Sequence, residues 1–149
     1  MPKLDLDTIP QVNLTDYPPQ FAHVVAGRWY RRLGPPSGLT HMGVSQVTLK
    51  PGAQSSQRHW HAAEDEFVVM LSGAAVLIDD DGEYPMRPGD CASFPGGVRN
   101  GHVLVNRSAE DCVFIAVGAG PDTGGGYSDI DMLWRADGRY TTKTGEEYR

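Results

Sequence analysis

Two histidines one residue apart, His59 and His61, are followed by an acidic stretch that ends in Glu66. In a β-strand alternate side chains share a face, so both imidazoles point the same way, with Gln57 beside them and Arg58 and Trp60 opposite. Glu66 opens the run Glu66-Phe-Val-Val-Met-Leu71, in which Glu66, Val68 and Met70 share one face. An antiparallel pairing of the two strands through a short turn near Ala62-Ala63 would bring Glu66 to both imidazoles. Glu64 has the same parity and competes for the role; Asp65 has the opposite parity and points away. Imidazole and carboxylate together suit a borderline divalent metal: Fe, Mn, Ni or Zn. His102, in Asn100-Gly-His-Val-Leu-Val-Asn106, could supply a further ligand. His23 and His41 lack metal spacing and read as ordinary polar residues.

These side chains need strands to position them. Eighteen glycines and 11 prolines punctuate short β-branched and aromatic runs, a pattern that predicts an all-β barrel or sandwich. Candidate strands are 43–49, 56–60, 64–72, 74–78, 83–86, 91–94, 101–106 and 112–117. Turn signals separate them at 50–52, 72–73, 79–82, 87–89 and 95–97. The run Asp79-Asp-Asp-Gly82 lacks the spaced ligands of a calcium loop and reads as a hairpin turn. The glycine-rich 118–126 reads as a connection, and its Gly-x-Gly opens no βαβ unit, which excludes a nucleotide loop. Residues 1–40 form a proline-marked N-terminal arm with the first strands, packed along the barrel or against a second subunit. Residues 41–120 form the barrel core. In 121–149, Ile130, Met132 and Trp134 fall at strand spacing ahead of a polar tail, giving a final strand with an arm, or a lid. The three parts make one domain.

A chain of 149 residues buries roughly 68–70% of its unfolded surface and needs no disulfide framework. Cys91 and Cys112 sit in apolar runs and read as small buried hydrophobes in a reducing compartment. The first ten residues hold no apolar signal region, and no run of about 18 apolar residues occurs, so a cytoplasmic protein without membrane contact is expected. A net charge of −6 argues against a nucleic-acid partner. The short basic piece Arg28-Trp-Tyr-Arg-Arg32 then reads as a solvated face or local ion pairs.

The segment Gly52-x6-His59-x-His61-x4-Glu66-x6-Gly73 resembles the first motif of the cupins. Gly89-x5-Pro95-x-Gly97 followed by His102-x3-Asn106 resembles their second. Together they span residues 52–106 and are most similar to single-domain bacterial cupins. Two departures stand out. Six residues, instead of the commoner five, separate Gly52 from His59. The usual histidine position of the second motif holds Asn100, and His102 comes two residues later, a shift that preserves strand parity.

The resemblance implies a jelly-roll β-barrel, commonly a homodimer, with one divalent metal held by His59, His61, Glu66 and His102 near an open mouth. Gln57, Met70, Phe94 and Leu104 are then expected around a small-molecule ligand. Open coordination positions would suit Lewis-acid or dioxygen chemistry on a small oxygenated metabolite such as a hydroxy acid, dicarbonyl compound or sugar derivative. No general base is identified by the sequence; Glu64 and Tyr127 are the candidates. A non-catalytic module that binds or senses a small ligand is the alternative, and a barrel stabilised by its metal is a third.

Overall fold

The computed structural model describes residues 2–149. Three short 3₁₀ turns (Leu6–Thr8, Pro19–Phe21 and His23–Val25) lead into β1, Arg28–Arg32. There follow β2 (Met42–Leu49), β3 (His59–His61), β4 (Asp65–Ser72), β5 (Ala75–Asp79), β6 (Gly82–Met86) and β7 (Cys91–Phe94). The chain ends through β8 (Val103–Val105), β9 (Cys112–Ala119), β10 (Gly124–Tyr127), β11 (Leu133–Arg135) and β12 (Tyr140–Thr141). All five turn signals fall at the junctions between strands. The Asp79–Gly82 run is a hairpin turn, with Asp79 Oδ1 accepting from the N–H groups of Asp81 and Gly82.

One five-stranded sheet has the order β1-β2-β9-β4-β7, antiparallel throughout. Two smaller sheets, β6-β5-β8 and β12-β11-β10-β3, make the other face. They meet at an isolated antiparallel bridge between His59 and His102, whose N–H groups each donate to the other's carbonyl, at 3.1 and 2.8 Å. The architecture is the expected all-β jelly roll.

Strand alternation sets the interior. On β4, Val68 and Met70 are buried while Phe67 and Leu71 face outward. Leu49, Leu77, Leu104, Cys112 and Phe114 complete the same core, and each large apolar side chain so buried is worth about 1.5–3 kcal/mol. Asn106 is fully buried in a polar knot. Its Nδ2 donates to the carbonyls of Leu49 and Glu110, and its Oδ1 accepts from Ser108, so its desolvation is compensated.

Four expectations need correction. The histidine strand does not pair with the Glu66 strand: β4 lies between β9 and β7, whereas β3 pairs with β10. Strand 56–60 shrinks to His59–His61, because the backbone N–H of Gln57 bonds the Tyr17 hydroxyl instead of a neighbouring strand. The glycine-rich connection contains β10. A Cβ on Gly125 would overlap the Trp134 ring and the Trp60 carbonyl, and one on Gly126 would meet the Trp60 ring, so the glycines admit two indoles against the backbone. Finally, Cys91 is exposed and only Cys112 is buried; Cys91 opens β7 on the outward parity.

The N-terminal arm packs along its own barrel. Val12 bridges Tyr30, Tyr17 packs edge-on against Tyr127, and Phe21 does so against Tyr148. Its last part, β1, is an edge strand of the large sheet in full register with β2.

Candidate metal centre

β3 presents both imidazoles inward, β4 presents Glu66 from the large sheet, and the bridge to β3 holds His102 across the seam. One donor atom from each of His59, His61, Glu66 and His102 lies within 4.8 Å of all the others. His59 Nε2 and His61 Nε2 are 3.1 Å apart. The Glu66 carboxylate reaches His102 Nε2 at 2.6 Å through Oε1 and His61 Nε2 at 3.3 Å through Oε2. Neighbouring ligands about 2.1 Å from one ion are separated by about 3 Å, so the donor set fits a single divalent ion. Glu64 falls outside the group: its Oε1 faces the other nitrogen of His61, Nδ1, at 3.6 Å.

Each ring is held from behind. Gln57 carbonyl and Ser56 Oγ lie 2.9 and 3.0 Å from His59 Nδ1. A proton on Nδ1, donated to the carbonyl, leaves the Nε2 lone pair facing the other donors. The Phe94 ring stacks on His102 at 3.6 Å between centroids, nearly parallel. Trp134 meets the edges of His59 and His61 at 5.7 and 5.1 Å.

The electrostatics suit ligation. Burial, helped by the nearby His102, lowers the His59 pKa to about 4, so the ring is neutral near pH 7. For Glu66 burial works toward a higher pKa, but hydrogen bonds to His102 and His61 outweigh it and hold the carboxyl well below its usual range. Burial likewise disfavours a charged His61, yet the hydrogen bond and charge of Glu66, with Glu64 behind, leave its pKa raised. An ion binding here must displace that proton.

His59, Glu66 and His102 line a cavity of about 330 Å³. Val47, Val68, Leu104 and Phe114 form its apolar wall, and Tyr17, Arg28, Tyr30, Ser45 and Ser56 its polar one. Of the residues expected around a ligand, Leu104 lines this space. Phe94 lies behind His102 and lines a smaller cleft that also reaches His61. Met70 is 1% exposed in the core beneath, one turn of alternation further along β4. The Gln57 amide donates to the Phe21 carbonyl and is taken up by the N-terminal arm; its contribution to the centre is its backbone carbonyl. Neither Glu64 nor Tyr127 borders the cavity, and burial keeps the Tyr127 hydroxyl protonated.

Tyr17, Arg28 and Tyr30 were missed by the sequence reading. Arg28 and Tyr30 share parity on β1 with Arg32, and that alternation inside a segment read as solvated was the available signal. Tyr17 gave none, because the arm that carries it has no periodicity.

A cupin domain model matches residues 45–118. No match is found among the curated proteins. Among solved structures, a sugar phosphate isomerase of the cupin superfamily from Silicibacter pomeroyi is 47% identical. The match covers 97% of this chain and 95% of that one, with a TM-score of 0.93. A provisionally assigned sugar phosphate isomerase from Acidithiobacillus ferrooxidans is 29% identical over 78% of this chain and 73% of its own, with a TM-score of 0.67. A polyketide cyclase from Streptomyces resistomycificus shares the fold at a TM-score of 0.70, with 18% identity and 87% of each chain covered. The chain belongs to the cupin superfamily.

Proposed function

We propose that this cupin is a metal-dependent isomerase of a small hydroxy-carbonyl compound, a sugar derivative. The observation that carries the reading is the four-residue donor set at the wall of a cavity large enough for a small molecule. The 47% identical isomerase supports the choice of reaction. His59, His61, Glu66 and His102 would hold the ion, and open coordination positions would supply Lewis-acid polarisation of a substrate carbonyl.

The chain's own residues set the rest. In an isomerisation the C–H proton beside the carbonyl passes to a base, a proton is delivered to the former carbonyl carbon, and the adjacent hydroxyl proton passes to the former carbonyl oxygen; nothing is oxidised overall. Burial raises the Tyr17 pKa, so its hydroxyl stays protonated and donates a hydrogen bond to a substrate oxygen in the cavity. Glu66, with its low proton affinity, serves as ligand and not as base. Val47, Val68, Leu104 and Phe114 exclude water and strengthen the field at the reacting atoms.

Solvent-deuterium exchange into phosphorylated aldoses and ketoses, followed by NMR, tests the reading. Metal-loaded protein should exchange the hydrogen beside the carbonyl, and chelated protein should not. Binding without exchange across the panel would move the protein to the non-catalytic reading. Two further parts of the proposal concern its setting. Outward-facing Phe67 and Leu71, 42 and 47% exposed on β4, support a homodimer, checked by light scattering. The thiols, both free, support a reducing cytoplasm; among the described residues no helix is long and apolar enough to cross a membrane.

A further inference from the structure

We infer that Arg28 anchors an oxyanion of the ligand, a phosphate or a carboxylate, inside the cavity that borders the metal centre. Arg28 and three of the four metal-centre residues line the same space. A guanidinium carries five N–H donors. Two hydrogen bonds are made: Nη1 donates to the Ser55 carbonyl and Nη2 to the Leu14 carbonyl, each at 3.0 Å. Both acceptors are neutral. Nε is buried and has no acceptor.

Three other arginines have carboxylate partners. Arg58 pairs with Asp80 and Asp129, Arg107 with Glu83, and Arg139 with Asp137 and Glu147. Among the described residues no carboxylate lies within ion-pair distance of Arg28. A charge left without a counterion beside a cavity costs free energy, and an anion entering the cavity compensates it. The two carbonyl bonds, and the Tyr30 ring 5.3 Å from Cζ, fix the guanidinium before the ligand arrives, which lowers the ordering cost of binding. An oxyanion in the cavity accepts from the guanidinium N–H groups that the two carbonyls leave free, a planar donor set at which arginine surpasses lysine.

The inference rests on the proposed function only for the site's being a substrate site, and it names the substrate class: an anionic sugar derivative or hydroxy acid. The test is calorimetric titration of inorganic phosphate, and separately acetate, into metal-loaded and chelated protein. Wild type should bind at least one of the two, and the tighter identifies the anion. Arg28→Gln should weaken it roughly ten- to hundredfold with metal content unchanged, and Arg28→Lys less. Because Arg28 also tethers Leu14 and Ser55, a wild-type measurement stands beside the variants. The Arg28 Nε–H resonance should shift on titration with the same anion. Absence of binding, unchanged affinity in Arg28→Gln, or an Arg28 resonance that stays still while the protein saturates would overturn the inference. Anion binding at Arg28 without deuterium exchange would leave the anchor standing and remove the isomerase reading alone.

Discussion

The two strands that supply three of the four residues of the candidate metal centre are held in opposite ways. β4 runs eight residues between β9 and β7, and Glu66 has a strand partner on each side, Gly118 and Phe94. β3 is three residues long, and each of its positions faces β10, whose glycines lie beneath Trp60 and Trp134. The carboxylate therefore rests on regular hydrogen-bonded sheet. The histidines depend on a patch assembled from both arms: Tyr17 and the Phe21 carbonyl on Gln57, and Trp134 on the rings. One half of the centre comes with the barrel, and the other with what is wrapped around it.

The most severe way to break this contrast is Gly125→Val. Its side chain has no room beside Trp134 and the Trp60 carbonyl, so the variant should lose about 3 kcal/mol in denaturant unfolding and fail to retain metal. Glu66→Gln attacks the stable half. It should fold with an unchanged circular dichroism spectrum, while metal affinity measured by chelator competition falls more than roughly 100-fold, the upper range for residues that only support a ligand.

Acid should act through the histidine half of the metal-free protein. His59, lowered from 6.5 to about 4, takes up its proton more readily when unfolded. Stability is therefore lost as pH falls from 6.5 toward 4, at no more than about 1.4 kcal/mol per pH unit for this one group. Glu66, held low, adds to the loss below pH 4.5. His61, raised, has the opposite sign: its contribution is complete below 6.5 and declines as pH rises through its folded pKa. Melting temperature against pH in chelator should thus peak near 6.5, and a monotonic rise to pH 9 would contradict the His61 assignment. Ser56→Ala is the mildest change. Loss of the contact to His59 Nδ1 should cost about tenfold in metal affinity, with the melting temperature barely moved.

Strand parity was legible in the sequence because it is local. It placed His59 and His61 together, Glu66 inward and Asp65 outward, and the two-residue shift of the second motif left His102 on the interior side. Pairing was not legible in the same way. Glu66 follows His61 by five residues, and a short hairpin is the economical guess, yet the partners of β4 come from residues 91–94 and 112–119, chosen by packing on the whole core. Arg28 was hidden for a related reason. A basic strand looks like a solvated one until the arm carrying Leu14 and the loop carrying Ser55 close over it.

The reciprocal backbone bridge between His59 and His102 has a mechanical meaning. It is the point where the two small sheets join into one face, and both residues also extend their rings to Glu66 on the opposite wall. An ion gripped by all four would fasten the seam to the far sheet like a rivet through two plates. Spreading the barrel wall at that point and distorting the coordination sphere would then be one motion, so the slowing of amide exchange at His59 and His102 on metal loading would measure how firmly the plates are joined.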